Sequence, residues 1–322
     1  MLVSSAAIII GFILLLWGAD RFVTGAAATA RNLGMSPLII GLTIVGFGTS
    51  APEILISIIA SLDDNTGLAI GNAIGSNIAN IALVLGATAV IMPLNVKSET
   101  LRREYPILFA ATMVTFALIT DGELDRMDGF ILLSGLIVIL YWVISLATRS
   151  RHSDPMESEF KAEMPKKMST LMALGWFAIG LIVLLVGSKL LVTGAVDIAR
   201  QIGVSDLVIG LTVVAIGTSL PELATSIISA LKKEHDIAIG NILGSNMFNL
   251  LAVMSMPGII SPGIVPAMVL ERDYPIMIGL TLALFAIAYG FRGPGRITRI
   301  EGGILLTSFF AYQGLLYYMG NG

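Results

Sequence analysis

Polar positions are sparse along this 322-residue chain, and they recur at fixed places. Ten apolar runs separated by short polar connections lie near 5–31, 38–62, 67–92, 104–120, 127–148, 169–200, 207–231, 236–260, 273–291 and 300–319. Roughly 17 to 25 residues of helix span about 30 Å of hydrocarbon at about 1.5 Å per residue. The pattern therefore predicts an all-α polytopic membrane protein with ten transmembrane helices. The first and sixth runs are longer than a perpendicular crossing needs, so they should tilt or protrude.

The two halves repeat each other at a constant offset of 169 positions. Gly18 matches Gly187, Thr24-Gly25 matches Thr193-Gly194, and Gly41-Leu42-Thr43 matches Gly210-Leu211-Thr212. Farther on, Gly71-Asn72 and Gly75-Ser76-Asn77 match Gly240-Asn241 and Gly244-Ser245-Asn246, and Arg103-Glu104-Tyr105-Pro106 matches Arg272-Asp273-Tyr274-Pro275. Residues 149–168 form the only long polar connection. The expected organisation is a five-helix unit over 1–148 with a motif at 41–86, a cytoplasmic linker over 149–168, and a second unit over 169–322 with a motif at 210–255. Five crossings is an odd number, so the second unit enters from the opposite face and the repeats are inverted in topology.

Basic residues set the orientation. With the N-terminus outside, the inward connections carry Arg31, Lys97, Arg102, Arg103, Arg149, Arg151, Lys161, Lys166, Lys167, Lys232, Lys233, Arg292, Arg296 and Arg299, against Arg126, Arg200 and Arg272 outside. Both termini are expected outside a cytoplasmic membrane. Acidic groups such as Asp63-Asp64 and Asp121 to Asp128 then face outward as solvated loop charges, able to form a weak funnel for cations. The N-terminus lacks a basic n-region, and part of its run recurs in the second half, so it reads as a mature helix.

Composition agrees: 56% of residues are hydrophobic, 13% are charged, and mean hydropathy is +0.89. That excludes a soluble globular domain. No Cys is present, so neither thiolate metal sites nor disulfides are available.

Against this background, Gly48-Thr49-Ser50-Ala51-Pro52-Glu53 and its match Gly217-Thr218-Ser219-Leu220-Pro221-Glu222 stand out. Proline removes a backbone N–H and clashes with the carbonyl four residues earlier, opening the helix at Gly48 and Gly217. Freed carbonyls in hydrocarbon are tolerated where they line a cavity. A carboxylate at the bilayer centre costs at least about 2.5 kcal/mol, so Glu53 and Glu222 read as functional, with a cation as partner. On the following helices, Asn72, Ser76 and Asn80, and equally Asn241, Ser245 and Asn249, fall at i, i+4 and i+8 and make one polar stripe each. The paired glycines 71 and 75, and 240 and 244, allow close approach of a neighbouring backbone. Asn77 and Asn246 lie off the stripe and read as interhelical hydrogen-bonding groups. Two carboxylates with hydroxyl, amide and carbonyl oxygens select hard cations such as Ca²⁺, Na⁺, K⁺ or Mg²⁺. Without a cation the site would hold two like charges in low dielectric, which invites protons or Na⁺ to replace Ca²⁺.

These paired motifs resemble the two alpha repeats of the calcium/cation antiporter superfamily, in its sodium/calcium exchanger branch, and the similarity covers essentially the whole chain. The resemblance implies a prokaryotic-type exchanger moving Na⁺ inward and Ca²⁺ outward, three for one. It implies Glu53 and Glu222 as central ligands shared by both ions. Thr49, Ser50, Ser76, Thr218, Ser219 and Ser245 would complete flanking Na⁺ sites, with carbonyls from Gly46 and Ala215. Asn80 and Asn249 would take the remaining amide or acidic positions. Potassium-dependent relatives carry Asp where Asn249 stands, which argues against K⁺ dependence. Proton/calcium exchangers place an acid in the third-helix motif, whereas Gly75-Ser76-Asn77 favours Na⁺. The resemblance also implies that the first and sixth helices slide to switch access.

The expected substrates are thus Na⁺ and Ca²⁺ within a lipid bilayer, with no cofactor, no nucleic acid and no obligatory protein partner. The nearest rival is an antiporter of the same fold driven by H⁺ or carrying another divalent ion. An intramembrane enzyme is disfavoured because asymmetric chemistry does not need an inverted repeat, and a cation channel is the third alternative. Asp20 and Lys189 read as snorkelling or interface-paired charges. The Arg-acid-Tyr-Pro sequences and Tyr317-Tyr318 read as interfacial anchors.

Overall fold

The structure, a computed structural model, describes residues 2–34, 46–96, 99–149, 168–288 and 295–320. The expected linker, apart from its ends, and repeat residues Gly41, Leu42 and Thr43 fall outside these. Helices account for almost all the described chain, as apolar sequence in lipid demands, because only internal pairing satisfies the backbone there.

The first helix is Leu2–Asn32. The second is described as Gly46–Thr49 and Ala51–Leu62, and the third runs over Thr66–Ile91. The fourth and fifth are Glu99–Ile119 and Arg126–Arg149. The second half follows in the same order: Thr170–Ile202, Asp206–Leu231, His235–Ile260, then Val269–Asp273 continuing as Tyr274–Ala288, and last Arg299–Gly320. Every predicted run therefore has its helix, and the protein is an all-α polytopic membrane protein. Its only strands among the described residues are short ribbons in the connections. β1 (Leu94–Val96) pairs antiparallel with β4 (Gly295–Ile297), and β2 (Glu123–Leu124) with β3 (Gly263–Ile264). The first ribbon joins the connections after the third helix and before the tenth. The second joins those before the fifth and after the eighth, the arrangement that opposite insertion of the two halves requires.

Burial separates two roles. The third and eighth helices are mostly buried, whereas the first and sixth are mostly exposed. The former make the centre. The latter, 31 and 33 residues long, pack on each other at the periphery. Gly11, Gly18 and Gly25 on one helix and Gly180, Gly187 and Gly194 on the other recur every seven residues. A Cβ at Gly18 would lie 3.0 Å from the Leu184 backbone nitrogen, so the two backbones touch through this stripe.

One expectation is overturned. Tyr105 and Tyr274 are fully enclosed, and Arg272 and Asp273 are buried, so the Arg-acid-Tyr-Pro sequences are not interfacial anchors. Arg272 Nε donates to Asp273 Oδ1 at 2.7 Å, and the Tyr312 hydroxyl of the tenth helix donates to the same oxygen at 2.8 Å. Tyr274 reaches across to the Thr112 carbonyl at 2.9 Å. Polar groups withdrawn from water have paired with one another instead. Tyr317 and Tyr318 remain exposed at the end of the last helix, as anchors would be.

Candidate functional site

Both breaker segments interrupt their helices at the serine. Ser50 (φ −86°, ψ 2°) and Ser219 (φ −81°, ψ 2°) leave helical geometry, and the next helix starts with proline in its first turn. There the missing N–H is harmless, because a first-turn N–H has no intrahelical partner. The restart turns Glu53 and Glu222 inward, and each side chain is wholly buried. Neither carboxylate has a basic partner among the described residues.

The oxygens around them come from both halves. Thr49 Oγ1 donates to Asn241 Oδ1 at 3.2 Å and stands 3.4 Å from Ser245 Oγ. In the mirrored position, Ser76 Oγ stands 3.4 Å from Thr218 Oγ1. Ser245 Oγ donates to Glu222 Oε1 at 3.2 Å. Glu222 Oε2, both Glu53 carboxylate oxygens, Ser50 Oγ, Ser219 Oγ, Asn80 Oδ1 and both side-chain polar atoms of Asn249 are buried with no hydrogen-bond partner. All but the Asn249 amide nitrogen are oxygens, and so dense a set of unsatisfied oxygens is costly unless something with positive charge meets it.

Ten of the twelve candidate ligands are thus buried side chains on the four central helices. The remaining two are backbone candidates. Ala215 is buried, but its carbonyl already accepts from Ser219 N at 3.1 Å and Thr218 Oγ1 at 3.3 Å. Gly46 opens the short helix before the first breaker. Asn80 Nδ2 donates to Asn246 Oδ1 at 3.1 Å, and Asn77 Nδ2 donates to Met277 Sδ at 3.4 Å, so the two off-stripe asparagines do bridge helices.

Three features were not read from sequence. Asn72 and Asn241 lie on the stripe, yet their amides donate to the main-chain carbonyls of Glu53 and Glu222, at 3.0 and 3.3 Å, and so fix the turns that carry the acids. Ser57 and Ser226, each four residues after its glutamate, tie those helices to the Val253 carbonyl at 2.8 Å and the Ala238 carbonyl at 3.4 Å. Their matched positions were the available signal. Third, the helices widen into π turns at Ala79–Leu85 and Asn249–Val253, and at Gly210–Val214, directly beside the site. Such turns often mark functional positions, and no residue pattern announces them.

The stripe glycines act as expected in the first half. A Cβ at Gly71 would lie 2.5 Å from the Leu207 carbonyl oxygen, so the third helix seats directly on the seventh. Over the breakers lies the first helix, with Val23 against Gly48 and Phe12 against Gly217.

Comparison with known proteins identifies the family and the fold. The model of the family described as sodium/calcium exchanger protein matches residues 3–145 and 172–318. A candidate antiporter of Alkalimonas amylolytica, CaxA, is 47% identical over 98% of this chain and 99% of its own length. The sodium/calcium exchanger MaX1 of Methanosarcina acetivorans is 30% identical, covering 97% of this chain and 98% of its own. A solved structure of the sodium-calcium exchanger NCX_Mj, soaked with Na⁺ and Ca²⁺, superposes with a TM-score of 0.67 at 33% identity over 96% of each chain.

Proposed function

The chain belongs to the sodium/calcium exchanger family, and on that premise we propose that it exchanges Na⁺ for Ca²⁺ by alternating access around Glu53 and Glu222. At the coarser level it is a multi-pass membrane antiporter of Ca²⁺ and a monovalent cation. The observation carrying the finer reading is the pair of wholly buried glutamates, one from each half, with no basic partner among the described residues and a shell of oxygens from both halves.

One Ca²⁺ cancels two carboxylates, and its usual 6 to 8 oxygen ligands match carboxylate, hydroxyl and amide groups without nitrogen or sulfur. Na⁺ competes for the same oxygens. Thr49, Ser50, Ser76 and Asn80, with Thr218, Ser219, Ser245 and Asn249, are proposed as the surrounding ligands, with the Gly46 and Ala215 carbonyls as candidates from the interrupted helices. Because the two ions share one site, an occupied carrier turns over and a site of bare charges does not. Exchange follows without any further device. The positive-inside distribution supports both termini outside.

Proteoliposomes at fixed pH decide the driving ion. A jump in external Na⁺ should release Ca²⁺ from loaded vesicles in seconds. A carrier driven by H⁺ would ignore the jump and answer only to a pH step.

A further inference from the structure

Asn80, a proposed ligand on the third helix, donates its amide Nδ2 to Asn246 Oδ1 of the eighth helix at 3.1 Å, and both side chains are buried. A carboxamide carries one acceptor oxygen and one NH₂ group, and only the oxygen can meet a cation. The bond to Asn246 uses the nitrogen and leaves Asn80 Oδ1 buried with no hydrogen-bond partner. A lone flip of the Asn80 amide would set two oxygens against each other. Asn246 therefore holds Asn80 with its oxygen to spare.

The offset of 169 maps this pair onto Asn249 and Asn77. The surroundings match: the π turn Ala79–Leu85, which carries Asn80, packs on His235–Phe248, and the π turn Asn249–Val253 packs on Thr66–Ile78, which carries Asn77. The hydrogen bond does not recur. Both side-chain polar atoms of Asn249, and Asn77 Oδ1, are buried without a partner, while Asn77 Nδ2 donates to Met277 Sδ of the ninth helix at 3.4 Å. The same offset puts Leu108 of the fourth helix where Met277 stands. The two positions are equivalent in structure, since Thr112 Oγ1 donates to the Leu108 carbonyl at 2.8 Å and Thr281 Oγ1 to the Met277 carbonyl at 2.9 Å. Both side chains are buried, and only the methionine carries an acceptor atom.

We propose that Asn246 is a positioning residue for the transported cation, presenting the oxygen of Asn80, and that Met277 denies Asn249 the matching hold by drawing Asn77 to the ninth helix. The site then has one preset amide and one free amide. A free amide binds a cation only while its oxygen faces the right way, so affinity falls with the fraction of time that it does not. A thioether is a weak acceptor, and a substitution can release its hold on Asn77. The inference rests on the reading of Glu53 and Glu222 as the Ca²⁺ site.

The test titrates the full-length protein in detergent with Ca²⁺ by calorimetry, and measures Ca²⁺ flux per folded molecule in proteoliposomes. Asn246→Leu should weaken binding by about tenfold, the lower end for loss of a group that orients a metal ligand, and should raise Km for Ca²⁺ with maximal flux little changed. Unchanged binding, or a fall in maximal flux at constant Km as a merely structural role would give, overturns the proposal. Met277→Leu conserves volume and should fold, so it decides the matter even where Asn246→Leu does not. It should tighten Ca²⁺ binding by about two- to fivefold, because Asn77 is released to hold Asn249 as Asn246 holds Asn80. Adding Asn77→Leu should abolish that gain. Equal or weaker binding in Met277→Leu, or a gain that survives Asn77→Leu, contradicts the proposal, since loss of packing alone does not tighten binding. Wild-type protein that binds no Ca²⁺ overturns the site reading and this inference with it, whereas wild-type binding with unresponsive variants overturns this inference alone.

Discussion

The amide of Asn72 donates to the main-chain carbonyl of Glu53 at 3.0 Å, one helix holding the turn from which its neighbour's acid projects. Asn241 holds Glu222 the same way at 3.3 Å. A carboxylate is an effective ligand only if its backbone is fixed, and here the fixing group comes from the helix that also carries the stripe serines. Asn72→Leu should therefore raise the apparent Km for Ca²⁺ about 5- to 10-fold, the cost of one buried hydrogen bond with its carbonyl left unsatisfied. Ca²⁺-dependent flux with folded protein quantified in parallel checks this. Asn72→Asp, which cannot donate when ionised, should be no better.

Ser245 and Glu222 differ from their matches in the other half, because among the described residues only Ser245 donates a hydrogen bond to its half's glutamate carboxylate. Ser245→Ala should weaken Ca²⁺ binding by about tenfold, the lower end for loss of a group that orients a metal ligand. Isothermal titration in detergent measures it.

Gly71 is set against the Leu207 carbonyl, whereas Gly279 faces open space. Gly71→Ala should destabilise the protein by about 1–3 kcal/mol through overpacking in the centre. Gly279→Ala should be near neutral. Thermal denaturation in detergent separates them.

Arg272, Asp273 and Tyr312 form a buried ion pair with a hydroxyl attached. Removing one partner leaves the other charge uncompensated, so Asp273→Ala should cost about 3–5 kcal/mol. The melting temperature should fall clearly, while flux per folded molecule should change little, since this cluster lies outside the proposed site.

Much of this was legible because lipid leaves so few options. Length and apolarity suffice for ten helices, and the repeat at 169 by itself pairs Glu53 with Glu222 and Ser76 with Ser245. Asn77 and Asn246 stood off the stripe and do bridge helices. The misreading of Arg272 and Asp273 has a physical cause. A charged pair at a run's edge is compatible with interface or interior, and the Tyr312 hydroxyl that decides the matter lies 39 residues away. The π turns at 79–85 and 249–253 were invisible for a different reason, since a widened turn depends on packing against neighbours and leaves the hydrophobic pattern almost unchanged. The hydrogen bonds of Asn72 and Asn241 to carbonyls need three-dimensional register, which a stripe at i, i+4 and i+8 does not supply.

The central claim is that Glu53 and Glu222 together bind the transported Ca²⁺. Purified protein in liposomes loaded with Na⁺ is diluted into Na⁺-free buffer, and ⁴⁵Ca²⁺ uptake is followed for the wild type, Glu53→Ala and Glu222→Ala. The account predicts uptake that requires the Na⁺ gradient and is lost, by more than about 100-fold, in each variant. Undiminished Na⁺-driven uptake in either folded variant would contradict it.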